Sequence, residues 1–214
     1  NRGTGACAPG RRPVSSGMIS LHEGRGARRK RPAARALTLL LRVNGCEPGV
    51  WRRLVVREKM WLSQLHDSIQ LVFDWYDYQT HTFILESRRF GNPVRSEEGG
   101  VEDDRDIMVS DLGLEPGQRL AYRYHFGEGW EVDILVESAG PAAKGARLPV
   151  CVAGERAGPP EDCGGLEAYH DMLACLGDPA SALGREWREW LGPDYDPAAC
   201  DPARITTALR RLKR

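Results

Sequence analysis

Between residues 36 and 85 the spacing of apolar residues changes from that of strands to that of a helix and back again. This succession confines the chain to folds in which a helix packs on a sheet. The run Ala36-Leu37-Thr38-Leu39-Leu40-Leu41-Arg42-Val43 predicts a buried strand, closed by the turn signal Asn44-Gly45-Cys46-Glu47-Pro48-Gly49. Residues 50–56 predict a second strand, and the two make a hairpin. From Trp61 onward Leu62, Leu65, Ile69, Val72 and Phe73 recur at three- and four-residue steps, the signature of one helical face. Trp75-Tyr76-Asp77-Tyr78 ends that helix, and residues 80–85 alternate as a strand.

Further along, an acidic, mobile loop is expected over residues 91–106 and a short strand or turn over 107–112. A second hairpin is expected from residues 118–126 and 130–137 around Gly127-Glu128-Gly129. A three-residue turn there pairs Phe126 with Trp130, sets His125 against Glu131 and Arg123 against Asp133, and gathers Tyr122, Tyr124, Trp130, Val132 and Ile134 on one apolar face. The last third reads as helical. Leu166, Tyr169, Met172, Leu173 and Leu176 form one stripe, residues 185–191 another turn or two, and residues 202–212 a final helix with Asp201 as N-cap and Pro202 at its first position. The expected fold is α+β: a β-grasp-like mixed sheet with one crossing helix, followed by a C-terminal helical segment. Residues 36–138 supply the sheet and helix, 139–165 a loop and 166–214 the helical part of a single domain, 36–214.

A formal charge of zero conceals an asymmetry. Residues 1–35 hold nine basic residues against Glu23 alone, giving +8 there and −8 on the remainder. That segment is rich in Gly, Ala, Ser and Pro without apolar periodicity, so it is expected to be a disordered basic arm able to attract nucleic acid. No apolar run approaches a membrane span and the first thirty residues lack the apolar stretch of a signal peptide, which predicts a cytoplasmic protein with no membrane partner. The six cysteines, Cys7, Cys46, Cys151, Cys163, Cys175 and Cys200, form no C-x-x-C pair, so reduced thiols are expected rather than a zinc ribbon.

Five strings occur in a telling order: Pro48-Gly49-Val50-Trp51-Arg52-Arg53-Leu54; Leu65-His66-Asp67-Ser68-Ile69-Gln70 with Trp75; His81-Thr82-Phe83; the hairpin from Tyr124 to Trp130; and Cys151 through Pro159-Pro160-Glu161-Asp162-Cys163-Gly164-Gly165 with Tyr169. In them the chain resembles the plasmid pRiA4b ORF-3-like family, also labelled as TnpR-like passengers of mobile elements, from about Leu37 to Leu209. The resemblance implies a compact α+β protein of plasmids, mobile elements and chromosomes, and implies no reaction. The family hairpin usually reads Y-D-F-G-D-x-W-x-H; here His125, Glu128 and Val132 replace its two acids and its histidine. A resolvase is not supported, since Ser15, Ser16 and the string His22-Glu23-Gly24-Arg25 all fall in the basic arm, where nothing positions them.

The candidate interaction or pocket residues are Arg52, Arg53, His66, His81, His125, Glu128, Trp130, Glu161, Asp162 and Cys163. Arg52 shares a strand face with Val50, Leu54 and Val56, where a guanidinium needs a carboxylate or carbonyls; Glu161 and Asp162 are the expected partners, forming a clamp on the loop. Arg53 falls on the other face with Trp51 and Val55. His66 lies on the apolar side of its helix as a hydrogen-bonded core residue, and His81 begins a nearby strand. The two histidines can approach one another, but with Cys163 or Asp162 their spacing does not specify a metal site. His125 with Glu128 or Glu131 offers a general acid or base, set against simple cross-strand charge pairs. The Gly164-Gly165 pair before a helix suits an anion or a tight turn, without the lysine of a phosphate loop.

These readings favour a binding or regulatory module associated with mobile elements, without evident catalysis, cofactor or metal, whose partner is a protein or small molecule. The alternatives are a hydrolase or nuclease in which His66, His81, Glu128, Glu161 and Asp162 converge on one cleft, and a nucleic-acid binder working through residues 1–35.

Overall fold

A computed structural model describes residues 34–96, 99–124, 129–178 and 180–212. All the elements belong to one unit, Ala33–Arg214. Among the described residues there are eight strands and four α-helices. They run β1 (Arg35–Val43), β2 (Trp51–Arg57), α1 (Leu62–Phe73), β3 (His81–Leu85), β4 (Arg88–Gly91), β5 (Val101–Asp103), β6 (Arg119–Tyr124), β7 (Trp130–Pro141), β8 (Val150–Glu155), α2 (Gly165–Gly177), α3 (Ala182–Leu191) and α4 (Pro202–Leu209). A short 3-10 helix at Val109–Leu112 stands where a strand or turn was expected.

The strands form one sheet in the order β5-β4-β3-β6-β7-β1-β2-β8, antiparallel throughout except for the β4–β5 pair. The chain is therefore mixed α+β, as its periodicities predict. The sheet is mixed through its one parallel pair, but it holds eight strands and does not bear out the β-grasp likeness: β1 pairs antiparallel with both β2 and β7, and β3 lies beyond β6. The pattern could fix each strand's existence but not its neighbour, because strand order depends on contacts far apart in sequence.

One face of the sheet is apolar from β4 across to β2. Register places Phe90 against Phe83, Phe83 against Tyr122, Tyr122 against Val132, Ile134 against Leu41, and Leu39 against Leu54. On that face α1 buries Leu62, Leu65, His66, Ile69, Val72 and Phe73 within the same core. The opposite face carries Arg53 with Glu137, Arg123 with Glu131 and Arg119 with Asp133, the alternation of a sheet solvated on one side. A bulge opposite Thr38 and Leu39 leaves Glu137 without a strand partner and lets its carboxylate reach Arg53.

Three expectations need correction. The segment 139–165 is not all loop: β7 runs on to Pro141, and β8 pairs with β2 at the sheet edge. The segment 91–106 holds β5, and its Asp104 is 2% exposed. In the second hairpin Tyr124, not Phe126, pairs with Trp130, so Arg123 faces Glu131, and Asp133 meets Arg119 diagonally. The shift is by two residues, which preserves the faces, so Tyr122, Tyr124, Trp130, Val132 and Ile134 are all buried together as expected. Helix α4 does begin with Asp201 accepting from the Ala203 and Arg204 amides, but Leu166 of the expected α2 stripe is exposed and covers Gly45 instead.

Candidate functional site

The residues that end α1 and the residues that precede α2 meet over the aromatic side chains of β6 and β7. Asp74 adopts a left-handed conformation that stops the helix and turns Trp75 inward. Its ring stacks at 5.3 Å on Tyr124 and at 6.3 Å on Trp130. Each of the three aromatic groups then spends its polar handle on the loop: Trp75 Nε1 donates to the Pro159 carbonyl (2.9 Å), Trp130 Nε1 to the Glu161 carbonyl (3.3 Å), and the Tyr124 hydroxyl to the Glu161 carboxylate. Burial, with the carboxylate beside it, pushes the Tyr124 hydroxyl up and keeps it a donor. The same carboxylate accepts the backbone amides of Tyr76 (2.6 Å) and Tyr78 (3.4 Å). Gly158 makes the approach possible, because a Cβ there would collide with the carbonyl of Phe73.

What this scaffold presents outward is a pair of tyrosines. Tyr76 and Tyr78 are 64% and 67% exposed and stack on each other at 5.8 Å. Their backbone is held at further points: Gln70 Oε1 accepts the Asp77 amide (3.0 Å), and Arg95 donates to the Tyr78 and Gln79 carbonyls. Asp74, Asp77 and Asp162 are exposed around them.

Beneath Asp77 lies a second cluster. His66 and His81 are 4% and 9% exposed, and their rings stack at 3.6 Å within 10° of parallel. His66 Nδ1 lies 2.8 Å from the Tyr122 hydroxyl, which also accepts from Gln70 Nε2 (2.8 Å), and His66 Nε2 lies 3.2 Å from Asp77 Oδ1. His81 Nε2 lies 2.7 Å from the buried Asp104. The contact with His66 holds the Asp77 carboxyl below its ordinary range. Burial pushes the His81 pKa down, with Asp104 working against it. Gly91 lets β4 lie against β3 here, since a Cβ would sit 2.6 Å from the His81 carbonyl. One donor atom each from His66, Asp77 and His81 lie within 4.8 Å of one another, a set able to hold a metal ion.

Arg52 is 2% exposed, as its strand face implies, but Glu161 and Asp162 are not its partners. Its Nε donates to the Val72 carbonyl (2.9 Å) in the last turn of α1, and its Nη1 to the carbonyls of Trp51 (2.8 Å) and Glu155 (2.9 Å). Terminal helix carbonyls lack partners within the helix, so a guanidinium there supplies donors that no carboxylate could. Arg52 thus ties α1 to the β2–β8 edge. Arg53 makes a bidentate pair with Glu137. Cys163 is buried and its thiol is pushed up by burial to about 11; Cys46 rises to about 12 and Cys151 to about 11 for the same reason. His125 and Glu128 lie outside the described residues, as does the basic arm through residue 33.

The structure therefore brings His66 and His81 together, joins Trp130 to Glu161, and separates both groups from Arg53. Asp77, Asp104 and Gln70 join the site without being among the residues expected from the sequence. Gln70 carried a signal, being a polar residue one turn after His66 on the buried side of α1. Asp104 carried none, since nothing in an acidic run distinguishes it from Glu102, Asp103 or Asp106.

Comparison with known proteins agrees with this architecture. The chain is 32% identical over 181 residues to the uncharacterized protein y4hQ of Sinorhizobium fredii, covering 84% of this chain and 93% of that one. It also resembles the crystal structure of MM3350, a protein of unknown function from Methanosarcina mazei Go1, with a TM-score of 0.71 and 32% identity over 80% of this chain and 98% of that one. The model of the plasmid pRiA4b ORF-3-like proteins matches residues 35–204, a span that holds the Arg52 tie, the histidine pair and the Glu161 loop. The chain belongs to the plasmid pRiA4b ORF-3-like protein family.

Proposed function

We propose that this protein is a non-catalytic binding or regulatory module, acting in the plasmid and mobile-element setting of its family, and that residues 75–78 form its recognition surface. The observation that carries this reading is the exposed Tyr76–Tyr78 pair on a backbone already fixed by Glu161, Gln70 and Arg95. Aromatic side chains on a rigid backbone lose little freedom on binding, which is why tyrosine recurs among interface anchors. The neighbouring Asp74 and Asp162 select a cationic partner, an Arg- or Lys-rich polypeptide whose side chains stack on the rings and pair with the acids. The loop around Cys163 acts as support, since its Glu161 points inward and its thiol is buried. The upward-shifted thiols of Cys46, Cys151 and Cys163 argue against a cysteine nucleophile.

Fluorescence anisotropy with a labelled basic peptide, single-stranded DNA and RNA, at low and physiological salt, tests the reading. The Tyr76→Ser/Tyr78→Ser double variant is expected to bind the peptide at least ~10-fold more weakly than the full chain, the loss of about 1.4 kcal/mol or more typical of an anchor. Equal affinity in the double variant, or binding to nucleic acid alone that survives physiological salt, would overturn it.

A further inference from the structure

We propose that His66, Asp77 and His81 bind a divalent transition-metal ion, with Asp104 and Tyr122 orienting the two imidazoles from outside. The donor set comes from three separate elements: His66 from the middle of α1, Asp77 from the turn after it, and His81 from the start of β3. Their candidate ligand atoms lie within 4.8 Å of one another. Metal-bound histidines characteristically engage a carboxylate, carbonyl or other polar group through their second nitrogen, and that outer shell is already built here. The Tyr122 hydroxyl lies on His66 Nδ1 (2.8 Å) and is itself fixed by Gln70 (2.8 Å), while Asp104 lies on His81 Nε2 (2.7 Å).

Asp104 is 2% exposed and lies on His81 Nε2, so the polar groups around the two rings are enclosed by the fold rather than left to solvent. Two nitrogens and one carboxylate suit zinc, iron, cobalt or nickel rather than magnesium or calcium, which prefer all-oxygen shells. Asp77, its side chain 47% exposed, places one of the three donors at the protein surface. Parallel rings share no common plane, so binding requires one imidazole to tilt.

The test is titration of Co2+ and Zn2+ into the full chain after chelator treatment. One equivalent of Co2+ should develop the visible absorption of a nitrogen- and oxygen-ligated ion without thiolate charge-transfer bands, and Zn2+, but not Mg2+, should raise the melting temperature. His66→Ala and His81→Ala should abolish the spectrum, Asp77→Asn should weaken binding, and Asp104→Asn should weaken it about 10- to 100-fold. His22→Ala, in the basic arm, should change nothing. Thermal unfolding in chelator checks that each variant folds; should a histidine variant fail there, the wild-type spectrum and melting shift still decide. Absence of stoichiometric binding, thiolate bands, or undiminished binding by Asp77→Asn would overturn the proposal.

Discussion

Replacing Arg52 by methionine tests whether a buried guanidinium without a carboxylate holds this fold together. The substitution keeps most of the side-chain stem and removes three bonds to carbonyls, at 2.8 to 2.9 Å. Hydrogen bonds from a charged donor contribute about 1.5–3 kcal/mol each, so the gross loss is about 4–9 kcal/mol. Opposing it is the relief of burying a charge, itself several kcal/mol. The three carbonyls do not fare alike. Those of Trp51 and Glu155 are in part-buried bonds that water can replace, whereas the Val72 carbonyl is buried and stays unsatisfied, costing about 1–3 kcal/mol. The expected net destabilisation of Arg52→Met is about 2–3 kcal/mol, or roughly 4–12 °C in melting temperature for a domain of this size. Urea unfolding followed by tryptophan fluorescence measures it. Arg53→Met, which breaks a partly exposed pair with Glu137, serves as control and should cost less than about 1 kcal/mol. A variant Arg52→Met as stable as the wild type would show that desolvation outweighs the three bonds and that α1 needs no such tie.

Gly158→Ala should destabilise by about 1–3 kcal/mol in the same assay, because its Cβ meets the backbone carbonyl of Phe73, which has no rotamer to yield. Gly140→Ala, where a Cβ meets nothing within 4 Å, should stay within about 0.5 kcal/mol of wild type. The buried thiols predict an alkaline limit. Cys46, Cys151 and Cys163 are raised to about 12, 11 and 11, above the ordinary thiol value, so the folded state holds its protons longer than the unfolded one. Their contribution is complete below about pH 8.5 and is lost as pH rises through 11 to 12. Urea midpoints should fall over that range, and a thiol reagent at neutral pH should label these cysteines only on unfolding; fast native labelling would contradict the burial.

The existence and type of the long elements were readable from local pattern alone, because each buries one face and so writes its period into residues a few positions apart. The stripe from Leu62 to Phe73, the alternation from Tyr122 through Ile134 and the Asp201 cap were all legible for that reason. Burial of Arg52 and His66 was legible too, since each shares a face with apolar neighbours. Their partners depended on how the strands and helices came together. Arg52 faced the carbonyls at a helix end rather than the acids of the loop, because strand order set α1 and β8, not Glu161, beside it. Glu161 went to Tyr124 and the Tyr76 and Tyr78 amides, and Asp104 reached His81 from the turn just past a short edge strand that periodicity cannot reveal. A hydrogen bond between residues 20 to 100 positions apart leaves no repeating pattern in the chain, so such contacts become visible only when folding brings the two ends together.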